Sequence, residues 1–556
     1  MRSLWRVASA LALILWMGLP AQVLAQDVKA DGDAQDDKTI ELDAEYRVRT
    51  VRVDPYELSG TDVLDSTWTE QRLRLDLTMK HSPVTLRVQA DVLDGVLFGD
   101  NGVFGQDPSP NFGVSLAAKR PNNTRWEVGL PAGNDPLDPD AYVPVLRSAD
   151  IIQLNHAYAD ATLPGGLLRV GRQPMAYGAS IATHEGTRIN RWGVSFFNDT
   201  VDRVLFATKL DQAYYILTKD NHTLDLSLDN GIFVGFFYDW YRQGDVQFSG
   251  DNLRQIGLPI QFKAQEADWF GLDWRNLEFG FVLVNIQNER FNTNVNSIPV
   301  TFRGQVEDFS WNFLSIIVDG ESREISEGFA VLTGREPVQQ DIEAMGFYGE
   351  MNYQVGPVQL SLIGAFAEGD DDPRPDTPVT SLNFARDFNI GLLLFEQILA
   401  FESARSVAVG IENLSSLDAA SFPITEVSTE SRFTNAVALF PQAKIDFLPP
   451  ESNHKLHLRL GVLFAWPEAD GGVVDPILTS LNEDGNEIAD DAVNWHGGDP
   501  GGYYGTEYDL QIEWSIKNRF FWTVEGAYLD PGSSLQDANG DAVPAFFFEN
   551  RFTYVF

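Results

Sequence analysis

The last residues of the chain alternate between aromatic and polar side chains. The aromatic positions are Phe546, Phe548, Phe552, Tyr554 and Phe556, and the polar positions between them include Glu549, Arg551 and Thr553. Residues two apart in a β-strand point to the same face, so this pattern predicts a strand with one aromatic and one polar face. Such a strand is typical of a transmembrane β-barrel. Asn550 is the polar exception on the aromatic side.

The same alternation recurs along most of the chain. It predicts strands at 41–53, 71–80, 84–93, 149–163, 167–173, 201–209, 345–355, 358–367, 388–400, 404–413, 430–447, 455–466, 506–516, 520–529 and 544–556. The middle, 210–341, is less regular, with candidate strands at 229–243, 256–265 and 275–289 and more possible near 300–334. Three strands in the middle make about 18 in all, and a single one makes 16, the alternative.

Short and long connections alternate between these strands. His81-Ser82-Pro83, Pro164-Gly165-Gly166 and Gly356-Pro357 are short, whereas 94–148, 174–200 and 467–505 are long. Short periplasmic turns and long extracellular loops are the rhythm of an outer-membrane barrel. The fold class predicted is therefore all-β: a closed transmembrane antiparallel barrel with long acidic loops on the outer side.

The N-terminal segment indicates export. Residues 1–25 join a short basic head, an apolar run and a small-residue cleavage site, the pattern of a signal peptide. Residues 26–40 read as a flexible periplasmic tail, which leaves 41–556 for the barrel. The expected location is the bacterial outer membrane, in contact with lipid and lipopolysaccharide. The C-terminal strand, with Phe548, Phe552, Tyr554 and Phe556, is expected to engage the barrel assembly machinery.

Charge and composition limit the kinds of partner that the protein can bind. The chain has no cysteine and a formal net charge of −40, which disfavours nucleic acid and excludes disulfides. Acidic segments at 369–378 and 482–491 read as solvated loops, with calcium binding as the alternative. Asp537-Ala538-Asn539-Gly540-Asp541 lacks the spacing of a calcium loop and reads as an Asn-Gly turn. No metal or cofactor is expected.

Little in the sequence indicates catalysis. Seven histidines are scattered without zinc-ligand spacing, and the hydrolase and phosphate-loop motifs are missing. The sequence therefore predicts a protein that is not an enzyme. A hydrolase built from a His and a Ser on the barrel wall is the less favoured alternative.

Charged residues on the inward parity of the predicted strands are the candidate site. The expected pore-lining residues are Arg47, Arg49, Arg72, Arg74, Arg87, Asp76, Asp91, Arg172 and Glu525. Arg169 and Arg172 have opposite parity, so both face inward only if the strand has a bulge. The first three strands supply a basic arc and the C-terminal strands an acidic arc, and rings of charge set selectivity in channels. An extracellular loop, 94–148 or 174–200, is expected to fold inward and form the constriction.

The segment Gly171-Arg172-Gln173, with Tyr177-Gly178 after it, resembles alginate-export-type outer-membrane barrels and related porins. Trp192 and the stretch 198–202 extend the resemblance, and Arg386-Asp387-Phe388-Asn389 resembles uncharacterised delta-proteobacterial barrel proteins. The resemblance implies diffusion through an Arg-lined lumen. The sequence thus predicts a porin-like channel for small polar or charged solutes. The alternatives are a surface receptor or adhesin with a plugged barrel and, less favoured, the barrel-wall hydrolase.

Overall fold

Eighteen antiparallel strands form one closed barrel in the computed structural model. The structure describes residues 38–55, 66–99, 150–163, 165–175, 181–183, 191–194, 200–218, 229–243, 253–327, 336–371, 376–385, 388–399, 432–469 and 492–556. The strands are β1 Thr39–Asp54, β2 Ser66–His81, β3 Val84–Gly99, β4 Asp150–Leu163, β5 Gly166–Pro174, β6 Thr200–Lys209, β7 Gly231–Gln243, β8 Arg254–Trp269, β9 Leu272–Asn288, β10 Thr293–Val306, β11 Phe309–Ser322, β12 Gln340–Val355, β13 Val358–Ala367, β14 Ala436–Asp446, β15 His454–Trp466, β16 Gly505–Ile516, β17 Phe520–Pro531 and β18 Ala545–Val555.

Each strand pairs with its sequence neighbours, and β18 pairs with β1 to close the ring. Most connections at one end of the barrel are short, with that between β6 and β7 as the exception, and we call it the short-turn end. Most connections at the opposite end are long, with that between β9 and β10 as the exception, and we call it the long-loop end. Lys517 and Asn518 illustrate a short turn, because both have positive φ (52° and 53°), as a type I′ hairpin requires. The predicted fold class is confirmed.

The alternation of side chains divides the wall into an apolar outer face and a more polar inner face. On β18, Phe546 and Phe548 are 55% and 48% exposed, whereas Glu549 between strands β1 and β17 is fully buried inside. On β1, Leu42 and Tyr46 are exposed on the outside, and Arg47 is buried on the inside. The predicted parities of β1, β2 and β18 therefore hold in the structure.

The strand number was predicted correctly, but two errors cancelled. The middle of the chain contains five strands, β7–β11, instead of three. The predicted strand at 388–400 is wrong: 388–399 forms a turn and a π-helical segment, Leu394–Leu399. The predicted strand at 404–413 lies outside the described residues. In the described part of the chain, β13 pairs directly with β14. The alternation at 388–400 belongs to a buried loop.

Few helices accompany the barrel within the described residues. α1, Leu210–Thr218, follows β6 at the short-turn end, and a short 3₁₀ turn, Ser533–Leu535, lies at the long-loop end. No described helix is long and apolar enough to cross a membrane. The predicted signal peptide and nearly all of the predicted tail fall outside the described residues.

Candidate functional site

The arginines of the basic arc point into the barrel, where carboxylates bind them. Arg74 donates two hydrogen bonds to Asp91, both of 2.7 Å. Arg72 donates to Glu45 at 3.0 Å, although Arg72 also lies directly opposite Arg47 on the neighbouring strand. Like charges opposite one another destabilise a sheet, so the acid beside them offsets the repulsion. Both arginines lie on the inner side of the wall and are paired with acids; that they line a conducting pore stays a prediction.

A bulge in β4 completes the hydrogen bonds of this arc. The register between β3 and β4 shifts at Gln89, and Asn155 on β4 is buried on the inner side. Asn155 donates to Asp91 at 2.9 Å, and Gln89 donates to Asp76 at 2.7 Å. Both predicted acids of the first strands are therefore held by amide or guanidinium donors from adjacent strands.

Arg87 differs from the other arginines of the arc because its side chain is 47% exposed. Its nearest acid is Asp160, 3.9 Å from the Arg87 Nε, and both oxygens of that carboxylate already accept from Arg169 at 2.6 and 2.9 Å. The Arg169 guanidinium also lies 4.5 Å from the centre of the Tyr158 ring. Two guanidinium groups thus share one carboxylate, which leaves a net positive charge open to the lumen.

Arg172 lies elsewhere. It pairs with Asp202 at 3.1 Å, and Asp202 shares the outward parity of the exposed Val204 on β6. The strand therefore has no bulge that turns both Arg169 and Arg172 inward. The inward neighbour is Arg203, whose guanidinium donates to both oxygens of Asp239 at 2.6 and 2.7 Å.

The basic and acidic arcs meet at the closing seam and neutralise each other there. Arg49 pairs with Glu70 and, at 2.9 Å across the seam, with Glu549. Arg551 donates to Glu549 at 2.6 Å and to Glu525 at 3.1 Å. The two arcs are adjacent at the seam, and their opposite charges are in direct contact there.

Glu525 also binds a segment of the loop between β5 and β6. Its Oε1 accepts the backbone N–H of Gly193 at 3.1 Å and the Gln511 amide at 2.6 Å. The carbonyl of Arg191 accepts from Arg459 at 2.6 Å and from Gln511 at 3.0 Å. The described part of the loop 174–200 therefore lies against the inner wall, as expected for an inward-folding loop. Residues 100–149 of the other candidate loop lie outside the described residues.

A second loop segment is held by Glu507, an inward acid of the C-terminal strands whose role in binding a loop the sequence did not indicate. The Glu507 carboxylate accepts the consecutive backbone N–H groups of Leu392, Leu393 and Leu394 at 2.6, 2.9 and 2.7 Å. Gly391 precedes them with φ of 80°, and a Cβ there would lie 2.7 Å from the Glu507 Oε1. The only signal in the sequence was an acid on the inward parity of β16.

The Gly171-Arg172-Gln173 segment has a structural explanation. Gly171 has φ of 127°, and a Cβ there would lie 2.4 Å from the Ala157 carbonyl oxygen. The buried Gln173 side chain donates to the carbonyl oxygens of Gly171 and Arg203 at 3.2 and 3.3 Å. Gly171 and Gln173 thus contact β4, β5 and β6, and the motif stabilises the barrel wall at this point.

Phe548, Phe552, Tyr554 and Phe556 of the terminal segment are all exposed on the outer face. The exception in this pattern, Asn550, is also on the outer parity, and its Oδ1 accepts the indole N–H of Trp522 at 2.8 Å. A polar side chain is thus tolerated among the aromatic ones because a neighbouring strand satisfies it.

Within the described ranges, no group of three or more His, Asp or Glu residues is placed to hold a metal ion. Asp537 forms the expected turn: its carboxylate accepts the backbone N–H groups of Asn539 and Asp541 at 2.8 and 2.9 Å. These bonds, the one from Asp541 first, lower the pKa of Asp537. The loop is therefore ordered by its own backbone donors.

Comparisons with known proteins give no family. No protein-family model matches the chain, and no curated protein matches it. Among solved structures it is similar to OccAB1 of Acinetobacter baumannii, with 11% identity, a TM-score of 0.45 and coverage of 94% of this chain and 99% of that one. It is also similar to the outer membrane protein OprD of Pseudomonas aeruginosa, with 11% identity, a TM-score of 0.43 and coverage of 95% of this chain and 96% of that one. The outer membrane channel DcaP of A. baumannii is similar with 11% identity, a TM-score of 0.35 and coverage of 94% of this chain and 99% of that one. The alginate-export resemblance stays a prediction.

Proposed function

We propose that the chain is a porin-like channel of the bacterial outer membrane through which small polar or charged solutes diffuse passively. The polarity of the closed barrel carries this proposal. Its outer face is exposed and mostly apolar or aromatic, and much of its inner face is charged. A barrel in water would have the opposite arrangement, whereas a membrane barrel with an aqueous lumen requires this one. Passive diffusion needs no nucleotide or cofactor.

The orientation follows from the connections. The short-turn end faces the periplasm and the long-loop end faces the exterior, as in barrels of this kind. The outer face then contacts lipid and the outer leaflet lipopolysaccharide. We further propose that the assembly machinery recognises the terminal strand through its aromatic face, which includes Phe552 and Phe556.

Arg87 is the arginine best placed to influence ion selectivity. The basic arc was expected to act through Arg72 and Arg74, but both are buried and bound by acids. Removing Arg74 would leave the buried Asp91 carboxylate without its guanidinium partner, which destabilises the wall by about 3–5 kcal/mol and would obscure any effect on selectivity. Arg87 is exposed and shares its acid with Arg169, so its charge reaches the solute.

The test is single-channel conductance of the refolded protein in a planar bilayer, with the reversal potential under a salt gradient. Arg87→Gln is expected to shift the reversal potential toward cation preference. Arg52→Gln is the matched control, because Arg52 is equally exposed, at 51%, but has outward parity. Equal effects of the two substitutions, or no effect of Arg87→Gln, would contradict the assignment.

A receptor or adhesin with a closed barrel is the second candidate. It is favoured by one observation, the loop segments that pack inside the long-loop half of the barrel. On that view the folded protein, identified by its heat-shifted gel mobility, conducts no current. Deleting 470–500 should then abolish binding of a surface partner. Export of an anionic polymer is less favoured because the inward arginines are largely neutralised by acids.

A further inference from the structure

One arc of the barrel interior is filled by an apolar core. In the long-loop half, the inward residues of β11–β18 and β1 are largely apolar and buried, among them Leu314, Ala365, Ala438, Phe440, Ala527 and Val53. Loop residues pack against them in the same cluster, among them Ile181, Trp192, Phe384, Leu393, Phe433 and Tyr504. Phe395 and Phe433 are 4.7 Å apart between ring centres, and Trp192 stacks on Phe440 at 5.9 Å. We call this cluster the lumen core.

Polar contacts attach the lumen core to the wall at several points. Glu507 binds three successive backbone N–H groups of the 388–399 segment, and Glu525 binds Gly193. Below them Arg191 pairs with Glu350 on β12. Three charge-assisted hydrogen bonds to a fully buried carboxylate hold the segment in one position. The lumen core is thus a fixed part of the folded barrel.

The other arc, β2–β10, has a different interior. Among the described residues, its buried apolar clusters are small, one around Val201 and one around Leu205 and Phe237. Ion pairs and amides line it instead, such as the pair of Arg203 with Asp239, to which Gln255 donates at 3.2 Å. Arg87 and Arg303 on this arc have side chains that are 47% and 42% exposed. Exposed charge on the inside of a barrel requires water beside it.

We propose that the conducting path is eccentric: solutes pass along the inner wall of β2–β10, while the lumen core permanently closes the arc of β11–β18 and β1. This inference rests on the proposed channel function and goes beyond it by assigning the path to one side. Selectivity then depends on side chains of β2–β10, including Arg87 and Arg303. Side chains of the lumen core contribute to stability and leave ion selectivity unchanged.

The absence of cysteine from the chain allows a direct test. Thr85→Cys and Thr162→Cys place a thiol on the inward, partly exposed positions of β3 and β4. Ala438→Cys and Ala527→Cys place one on inward positions of β14 and β17 within the lumen core. Each folded variant is treated in the bilayer with a charged, membrane-impermeant methanethiosulfonate. Current is recorded throughout, and modification is counted by mass spectrometry.

The expected result is modification and a change of current for the Thr85 and Thr162 variants, with neither for the Ala438 and Ala527 variants. Reaction of the lumen-core thiols in a conducting channel, or unreactive thiols on β3 and β4, would overturn the eccentric path. Absence of current in the untreated folded protein would overturn the channel function itself, so the two failures are distinguishable. If Ala438→Cys or Ala527→Cys does not show the heat-shifted mobility of the folded barrel, Ala365→Cys replaces it, because Ala365 is another buried position of the lumen core.

Discussion

The hydrogen bonds between Glu507 and the 388–399 segment predict that Glu507→Gln destabilises this segment. The carboxylate uses Oε1 for Leu392 and Leu393 and Oε2 for Leu394. A glutamine amide keeps one acceptor oxygen, and its NH₂ group faces the N–H of Leu394 or of its two neighbours. At least one charge-assisted hydrogen bond is lost and a buried donor is left without an acceptor, a cost of about 3 kcal/mol.

The hydrogen bonds of Glu507 hold a loop segment and not the barrel wall. Their loss is therefore expected to favour local opening of that segment without unfolding the barrel. A loss of about 3 kcal/mol corresponds to roughly 100-fold faster amide exchange. Hydrogen exchange measured by mass spectrometry on the detergent-solubilised protein should show this in the peptide that contains Leu392–Leu394. The strands, including β16 itself, should keep their protection.

Glu513→Gln is the matched control, because Glu513 is on the inward parity of the same strand. It accepts the Thr523 hydroxyl at 3.1 Å, and no backbone donor to it is found in the described part of the chain. Its substitution should leave the exchange of 388–399 unchanged. If Glu507→Gln leaves that exchange unchanged as well, or if both variants accelerate it equally, Glu507 does not fasten the segment.

Three further predictions follow from single contacts. Gly171→Ala should lower the transition temperature of the heat-modifiable barrel, because positive φ costs an L-residue about 1–3 kcal/mol and the new Cβ would clash with the Ala157 carbonyl oxygen. The control Gly364→Ala should leave the transition temperature unchanged, because a Cβ at Gly364 meets no other atom. Asp537→Asn should accelerate hydrogen exchange of its loop at neutral pH but not at a pH low enough to protonate the carboxylate. The folded-state pKa of Asp537 is lowered, so its stabilisation is present above the unfolded pKa and is lost as pH falls through the folded one. Phe556→Ala should reduce the yield of folded barrel in the outer membrane but not refolding into detergent, whereas equal losses would argue against recognition by the assembly machinery.

The wall of the barrel was predictable because its signal is local. Alternation with a period of two fixes which residues face lipid, and a slip of one residue would turn Arg72 and Arg74 outward at a cost of about 2–4 kcal/mol each. The inward parity of Arg47 follows from the same reasoning.

The interior was less predictable because it depends on contacts between distant segments. The apolar run at 388–400 alternates well enough to predict a strand, but its apolar side chains pack on the inside of the barrel instead of facing lipid. Periodicity does not distinguish these two environments. Likewise, the partner of Glu507 is 113–115 residues away, so the sequence offered no spacing from which to infer it.

The pairing of the inward arginines separates stability from selectivity. Arg203 and Asp239 have side chains that are 2% and 0% exposed, so a solute does not reach them, but removing one would leave the other charged and buried. Arg87, at 47% exposed and 3.9 Å from a carboxylate already bound by Arg169, contributes little to the wall and retains its charge toward water. Counting arginines on the inward parity therefore overestimates the basic character of the lumen. The ion preference should depend on the few exposed guanidinium groups, and substitutions at the buried pairs should change the amount of folded barrel before they change its selectivity.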